Sequence, residues 1–117
     1  MSTEYAPILA VDFDGTLVTD EFPQIGQIRK PTWDAIVSAK NKGCRIILWT
    51  CRNGSYLDAA VAFCRDHGLE FEAVNQNLPE IVEAYGGDTR KIFANLYLDD
   101  RNGYFDPEEG FCRLGLI

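Results

Sequence analysis

The chain has 117 residues, 46% of them hydrophobic and 25% charged, with a formal charge of −7. That composition fits one domain with its own core. The acidity excludes broad, sequence-independent nucleic-acid binding, which needs a cationic footprint.

The first six residues carry no basic stretch or long apolar run, so no leader is expected. No segment approaches the ~20 apolar residues of a membrane span. The four cysteines (Cys44, Cys51, Cys64, Cys112) lack CxxC spacing, and His67 is the one histidine, which argues against zinc. Reduced, mostly buried thiols in a cytoplasmic protein are the expectation.

Ile8 to Val11 is a continuous apolar run, the pattern of a strand buried on both faces of a parallel sheet. Leu17 to Ile28, with Phe22-Pro23 and Gly26, reads as an irregular hairpin or flap. Pro31 opens a helix with Trp33, Ile36 and Val37 as its apolar stripe. Lys40 and Lys42 fall in its last turn and Gly43 stops it, but Lys30 is a poor N-cap. Arg45 to Trp49 is a second buried strand. The next helix is capped by Asn53 or Ser55, turns Leu57, Ala60, Val61 and Cys64 inward, and stops at Gly68. Phe71 to Val74 is a short strand, and Asn77-Leu78-Pro79-Glu80 has capping-box spacing ahead of a helix that ends at Gly86-Gly87. The last strand runs into Leu96-Tyr97-Leu98. This alternation predicts right-handed crossovers and a mainly parallel sheet in a Rossmann-like, three-layer α/β/α domain spanning 1–117.

In such a sheet ligands bind beyond the carboxyl ends of the strands. The first strand ends in Asp12-Phe13-Asp14-Gly15-Thr16, the second in Thr50-Cys51-Arg52, the third in Asn75-Gln76-Asn77 and the last in Asp99-Asp100-Arg101. Asp12 and Asp14 are two apart, so strand periodicity lets them point the same way. Two carboxylates this close repel, and a hard cation such as Mg2+ relieves the repulsion. Carboxylates, hydroxyl and guanidinium at one edge make the inventory of metal-assisted phosphoryl transfer. Each motif also has a plainer meaning: a turn for Asp12 to Thr16, a polar loop for Asp99 to Arg101. Neither GxGxxG nor GxxxxGK[ST] is present, against dinucleotide and P-loop folds.

The set Asp12-x-Asp14-Gly15-Thr16, Thr50, Lys91 and Asp99-Asp100 resembles the haloacid dehalogenase (HAD) superfamily of phosphatases, in its small capless form. The resemblance implies a Rossmann-like sheet with the first strand central, an aspartate nucleophile, an aspartyl-phosphate and required Mg2+. It implies that Asp12 attacks phosphorus and ligates the metal. Asp14 would protonate the leaving oxygen and later activate water, its carbonyl on the metal. Thr50 would bond a phosphoryl oxygen. Asp100 would ligate the metal directly, with Asp99 behind it.

For the phosphate cation, Arg52 ranks ahead of Lys91. Arg52 lies two residues past Thr50 and offers a bidentate fork. Lys91 matches the family order, but a straight strand from it would hold it about 25 Å from Asp99 at ~3.3 Å per residue. It reaches the site only if the strand is short and the chain around Ile92 to Ala94 doubles back. The 38 residues from Asp12 to Thr50 and the 41 from Thr50 to Lys91 leave no room for a cap. An open site implies a bulky phosphorylated substrate, small or macromolecular, or a lid lent by another subunit. Asp99-Asp100-Arg101 is similar to the endings of deoxyribonucleotidases and polynucleotide 3′-phosphatases. Two rivals are a receiver-like signalling domain and a catalytically inactive phosphate-binding module. His67, Cys51, Trp33 and Trp49 read as structural, and Tyr104, Phe105 and Phe111 as an edge cover or oligomer contact.

Overall fold

A computed structural model describes residues 6–102 together with Glu108. Four strands, β1 (Ile8–Val11), β2 (Arg45–Leu48), β3 (Ala73–Val74) and β4 (Leu96–Leu98), form a wholly parallel sheet in the order β3-β2-β1-β4. Helices α1 (Lys30–Asn41), α2 (Gly54–Asp66) and α3 (Pro79–Tyr85) fill the crossovers. The fold is Rossmann-like α/β, with β1 inside the sheet between β2 and β4. The aromatic tail residues Tyr104, Phe105 and Phe111, and Cys112, lie outside the described residues.

Strand alternation explains the two cores. Leu9, Val11, Ile46, Leu48 and Leu98 face α1 and α2, meeting Trp33, Ile36, Ala60 and Cys64. Ile8, Ala10, Ile47 and Ala73 face the opposite side, with Leu78, Ile92 and Ile81 of α3. Every residue of β1 is buried, as its unbroken apolar run requires. At about 1.5–3 kcal/mol for each large side chain fully removed from water, these two faces hold the sheet together. No helix among the described residues is long and apolar enough to cross a membrane.

Several local expectations shift. β2 stops at Leu48, and the third strand keeps only Ala73–Val74. The capping box before α3 does not form. Leu78 takes the N-cap without a side-chain bond, and Asn77 turns away to Asp88, Thr89 and the Phe93 N–H. The α1 N-cap is Arg29, not Lys30, and it too makes no side-chain cap bond. Its guanidinium reaches back instead to the Gly15 carbonyl, so a poor cap is exchanged for a tie to the Asp12–Thr16 turn. Residues 17–28 form the expected flap, an antiparallel ribbon closed by Thr19 N–H to the Gln27 carbonyl and Arg29 N–H to the Leu17 carbonyl.

Candidate functional site

Register sets the site. Val11 lies opposite Leu48 on one side and Leu98 on the other, so the next residues, Asp12, Trp49 and Asp99, emerge level at the carboxyl edge. The Asp12 N–H bonds the Leu98 carbonyl at 2.9 Å, and the Trp49 N–H bonds the Val11 carbonyl at 2.9 Å, which extends the ladder one residue past each strand. Beyond that edge lies a cavity of about 410 Å³. Asp12, Asp14, Thr50, Asp99 and Arg101 supply its polar wall, and Phe22 and Trp49 its aromatic one.

The turn after β1 is built to bring Asp100 in. The Phe13 carbonyl accepts the N–H groups of Thr16, Leu17 and Val18. Gly15 then takes φ +86°, where a side chain is strained. A Cβ at Gly15 would also stand 2.7 Å from Asp100 Cγ, so glycine makes room for that carboxylate. Thr16 is fully buried, and its hydroxyl accepts the Asp100 N–H at 3.1 Å. This fixed partnership is not visible in the sequence, which presents Thr16 simply as a hydroxyl.

Carboxylate oxygens of Asp12, Asp99 and Asp100 lie within 4.8 Å of one another. Asp99 also accepts the Arg101 N–H at 2.9 Å through Oδ1. Burial, then the negative charges of Asp99, Asp100 and Asp14, push the Asp12 carboxyl up to about 7 against a lowering hydrogen bond from the Phe13 backbone. Three converging carboxylates, two of them half-buried, form an all-oxygen donor set that suits a hard divalent ion. Both Asp99 and Asp100 stand within ligating reach of the position Asp12 defines.

Arg52 requires a correction. It is 3% exposed and is not among the residues that line the cavity. Nε donates to Asp14 Oδ2 at 2.8 Å and Nη2 to Asp14 Oδ1 at 2.7 Å. Nη2 also reaches the Gln24 carbonyl, and Nη1 bridges the carbonyls of Pro23 and Tyr56. All five N–H donors of the guanidinium are thereby engaged. The rings of Phe13 and Phe22 lie 5.0 and 5.1 Å from its carbon. A buried cation must be paired, and Arg52 takes its partners from Asp14 and the flap, leaving no donor for a phosphate.

The segment between Lys91 and β4 is short and folded back. β4 is only three residues long, and the Tyr97 hydroxyl binds the Ile92 carbonyl and the Ala94 N–H, folding that segment back. Lys91 Nζ rests 5.4 Å from the Tyr97 ring centroid, and that ring stands 5.6 Å from Trp49, which lines the cavity. Lys91 is not in the cavity wall; a single ring, that of Tyr97, stands between it and Trp49, and it makes no ion pair among the described residues. Arg101 is in the wall, exposed, and among the described residues its guanidinium makes a loose 3.6 Å contact to Asp20. Its position right after Asp99-Asp100 was the available signal for it.

Thr50 Oγ1 accepts the Arg52 N–H at 3.1 Å and lines the cavity, and its own O–H has no acceptor among the described residues. The Thr50 N–H is held by Asn75, whose φ of +54° turns its side chain across from the end of β3. Cys44 and Cys64 are buried as expected, whereas Cys51 is exposed at the cavity rim and Trp49 is only partly buried. His67 caps α2, bonds the Phe63 carbonyl and stacks on the Phe63 ring, in keeping with a structural part.

This is an α/β domain with an acidic cavity at the carboxyl edge of its sheet. No family model matches the chain, and no curated protein matches it significantly. Its fold is similar to the solved structure of a conserved protein from Bacteroides thetaiotaomicron, at 39% identity and a TM-score of 0.78 over 92% of this chain and 87% of that one. The chain belongs to the family of that protein. The likeness carries fold and family, and no activity with it.

Proposed function

We propose that the protein is a Mg2+-dependent phosphatase of the HAD type that hydrolyses a phosphomonoester through a phosphorylated Asp12. The observation that supports this reading most directly is the convergence of Asp12, Asp99 and Asp100 within 4.8 Å at the sheet's carboxyl edge, with Asp14 and Thr50 on the same cavity wall. Asp12, Asp99 and Asp100 would hold the ion, which supplies positive charge against the phosphoryl oxygens and the carboxylates.

In this reading a carboxylate oxygen of Asp12 attacks phosphorus and the bond from phosphorus to the leaving oxygen breaks. Asp14 gives that oxygen its proton. Asp14 then takes a proton from water as the water attacks phosphorus, releasing inorganic phosphate and restoring Asp12. The Thr50 hydroxyl donates to a phosphoryl oxygen. Lys91 and Arg101, rather than Arg52, are the cations left to meet the phosphate charge. The receiver alternative is less well supported, because β2 and β3 lead into Thr50 and Asn75 where a phosphoacceptor aspartate would stand. Among the described residues no domain is inserted over the cavity. Substrates whose leaving group is bulky, including nucleotides and nucleic-acid ends, therefore fit the open site, as does a lid from a second subunit.

A panel of phosphomonoesters assayed with Mg2+ and with EDTA tests the reading. Turnover of at least some members is expected with Mg2+, falling to background in EDTA. Equal rates in both, or none on any member, would remove it.

A further inference from the structure

Arg52 is a costly residue to bury. A guanidinium out of water must recover its hydration from fixed partners, and an apolar side chain of similar size would fill the space with less penalty. Its partners come from three separate segments: the Asp14 carboxylate, the flap carbonyls of Pro23 and Gln24, and the Tyr56 carbonyl in the first turn of α2. The paired bonds to Asp14 fix both carboxylate oxygens in one plane, which a single-point cation does not do. On the flap side Phe22 packs on the same guanidinium, meets Tyr56 edge-on at 5.5 Å, is itself 53% exposed and lines the cavity. Whatever enters the cavity against Phe22 therefore presses on the group that holds Asp14.

From this geometry we infer that Arg52 is a positioning residue, which holds the Asp14 carboxylate at the cavity wall and ties its placement to the position of the flap. The inference rests on the phosphatase reading for its chemical consequence and extends it: the flap and the proton-transferring carboxylate move as one unit. For Asp14 to carry a proton it must release one of its two Arg52 bonds, and the flap carbonyls keep the guanidinium in place while it does. Arg52 touches no substrate and acts only through Asp14.

A merely structural Arg52 and a positioning one differ in their dependence on the leaving group. Proton donation matters for an alkoxide and little for a stabilised phenolate. Arg52→Lys keeps the charge but loses the fork, and Asp14→Asn removes the proton. With p-nitrophenyl phosphate and β-glycerophosphate as probes, Arg52→Lys should lose at least about 30-fold on the alkyl ester and under about 3-fold on the aryl one in kcat/KM, which stops at expulsion of the leaving group and omits the later attack of water. Asp14→Asn should show the same pattern, and the double variant should be no worse than Asp14→Asn alone. Equal losses on both esters, or additive losses in the double variant, would overturn the inference.

Amide hydrogen exchange reads the tie without turnover. The flap N–H groups of Thr19 and Gln27 should exchange at least about tenfold faster in both Arg52→Lys and Asp14→Asn, while β1 and β2 amides stay protected. Unchanged flap protection would overturn the coupling. A wild type that hydrolyses these two esters and every other member of the phosphomonoester panel at no more than background would overturn the phosphatase reading and the catalytic role of Arg52 with it, and the exchange result would then decide the tie alone.

Discussion

Asp12→Asn is expected to abolish turnover while making the metal-free protein more stable at pH 8. The amide keeps the size of the carboxyl and its place at the end of β1, but it cannot attack phosphorus, so activity should fall by at least about 10⁴-fold. The stability gain follows from charge. Burial and three neighbouring carboxylates lift the Asp12 carboxyl to about 7 from its ordinary 3.8, so the folded chain prefers it protonated. That preference contributes stability that is fully present below about pH 4 and lost as pH rises through 7. At pH 8 wild-type Asp12 is ionised and unfavourable, by at most about 4 kcal/mol and less for its remaining contact with water. Urea titrations in EDTA should show the variant more stable than wild type at pH 8, the difference shrinking as pH falls and reaching near zero only below about pH 4. A variant less stable than wild type at pH 8 would mean that Asp12 is not under that repulsion.

Asp100→Ala and Gly15→Ala are expected to cost Mg2+ binding by different routes. Asp100→Ala deletes one of the three converging carboxylates, and its loss should exceed the ~10- to 100-fold that removal of an outer partner costs in metal affinity. Gly15→Ala leaves every carboxylate in the sequence but places a methyl where the Asp100 carboxylate packs, at a backbone angle that disfavours any side chain. It should weaken Mg2+ about 10- to 100-fold through displacement of Asp100. Calorimetry at pH 7.5 measures both. Wild-type affinity in Asp100→Ala would remove that residue from the ion, and wild-type affinity in Gly15→Ala would show that the two groups are not in register.

The fold was readable because its signals are local. The unbroken run Ile8 to Val11, the stripe of Trp33 and Ile36, and the stop signals at Gly43, Gly68 and Gly86 each report their own element. Parallel order then follows from alternation. The acidic ends were readable for the same reason, since Asp12, Asp14, Asp99 and Asp100 stand directly after apolar strands. What local pattern does not carry is which partner a side chain chooses across the sheet. Arg52 sits at the edge where a phosphate ligand is wanted, and nothing in the local pattern says that Asp14, two flap carbonyls and the Tyr56 carbonyl will take all its donors. Asn77 has the spacing of a cap and spends its amide on residues 11 to 16 positions away. Lys91 was discounted on the length of a strand that proves to be three residues, because a Tyr97 hydroxyl rather than an apolar period fixes the chain before it. In each case a side-chain hydrogen bond decided what periodicity could not.

The central claim is that Asp12 carries the phosphoryl group. It is tested most directly by mixing the protein with Mg2+ and a phosphomonoester that it turns over, quenching in acid, and sequencing the resulting peptides by mass. The account predicts one phosphoryl group on Asp12, present with Mg2+ and absent in EDTA. Phosphate released in the same reaction with Asp12 unmodified at every quench time, together with undiminished turnover in Asp12→Asn, would contradict it.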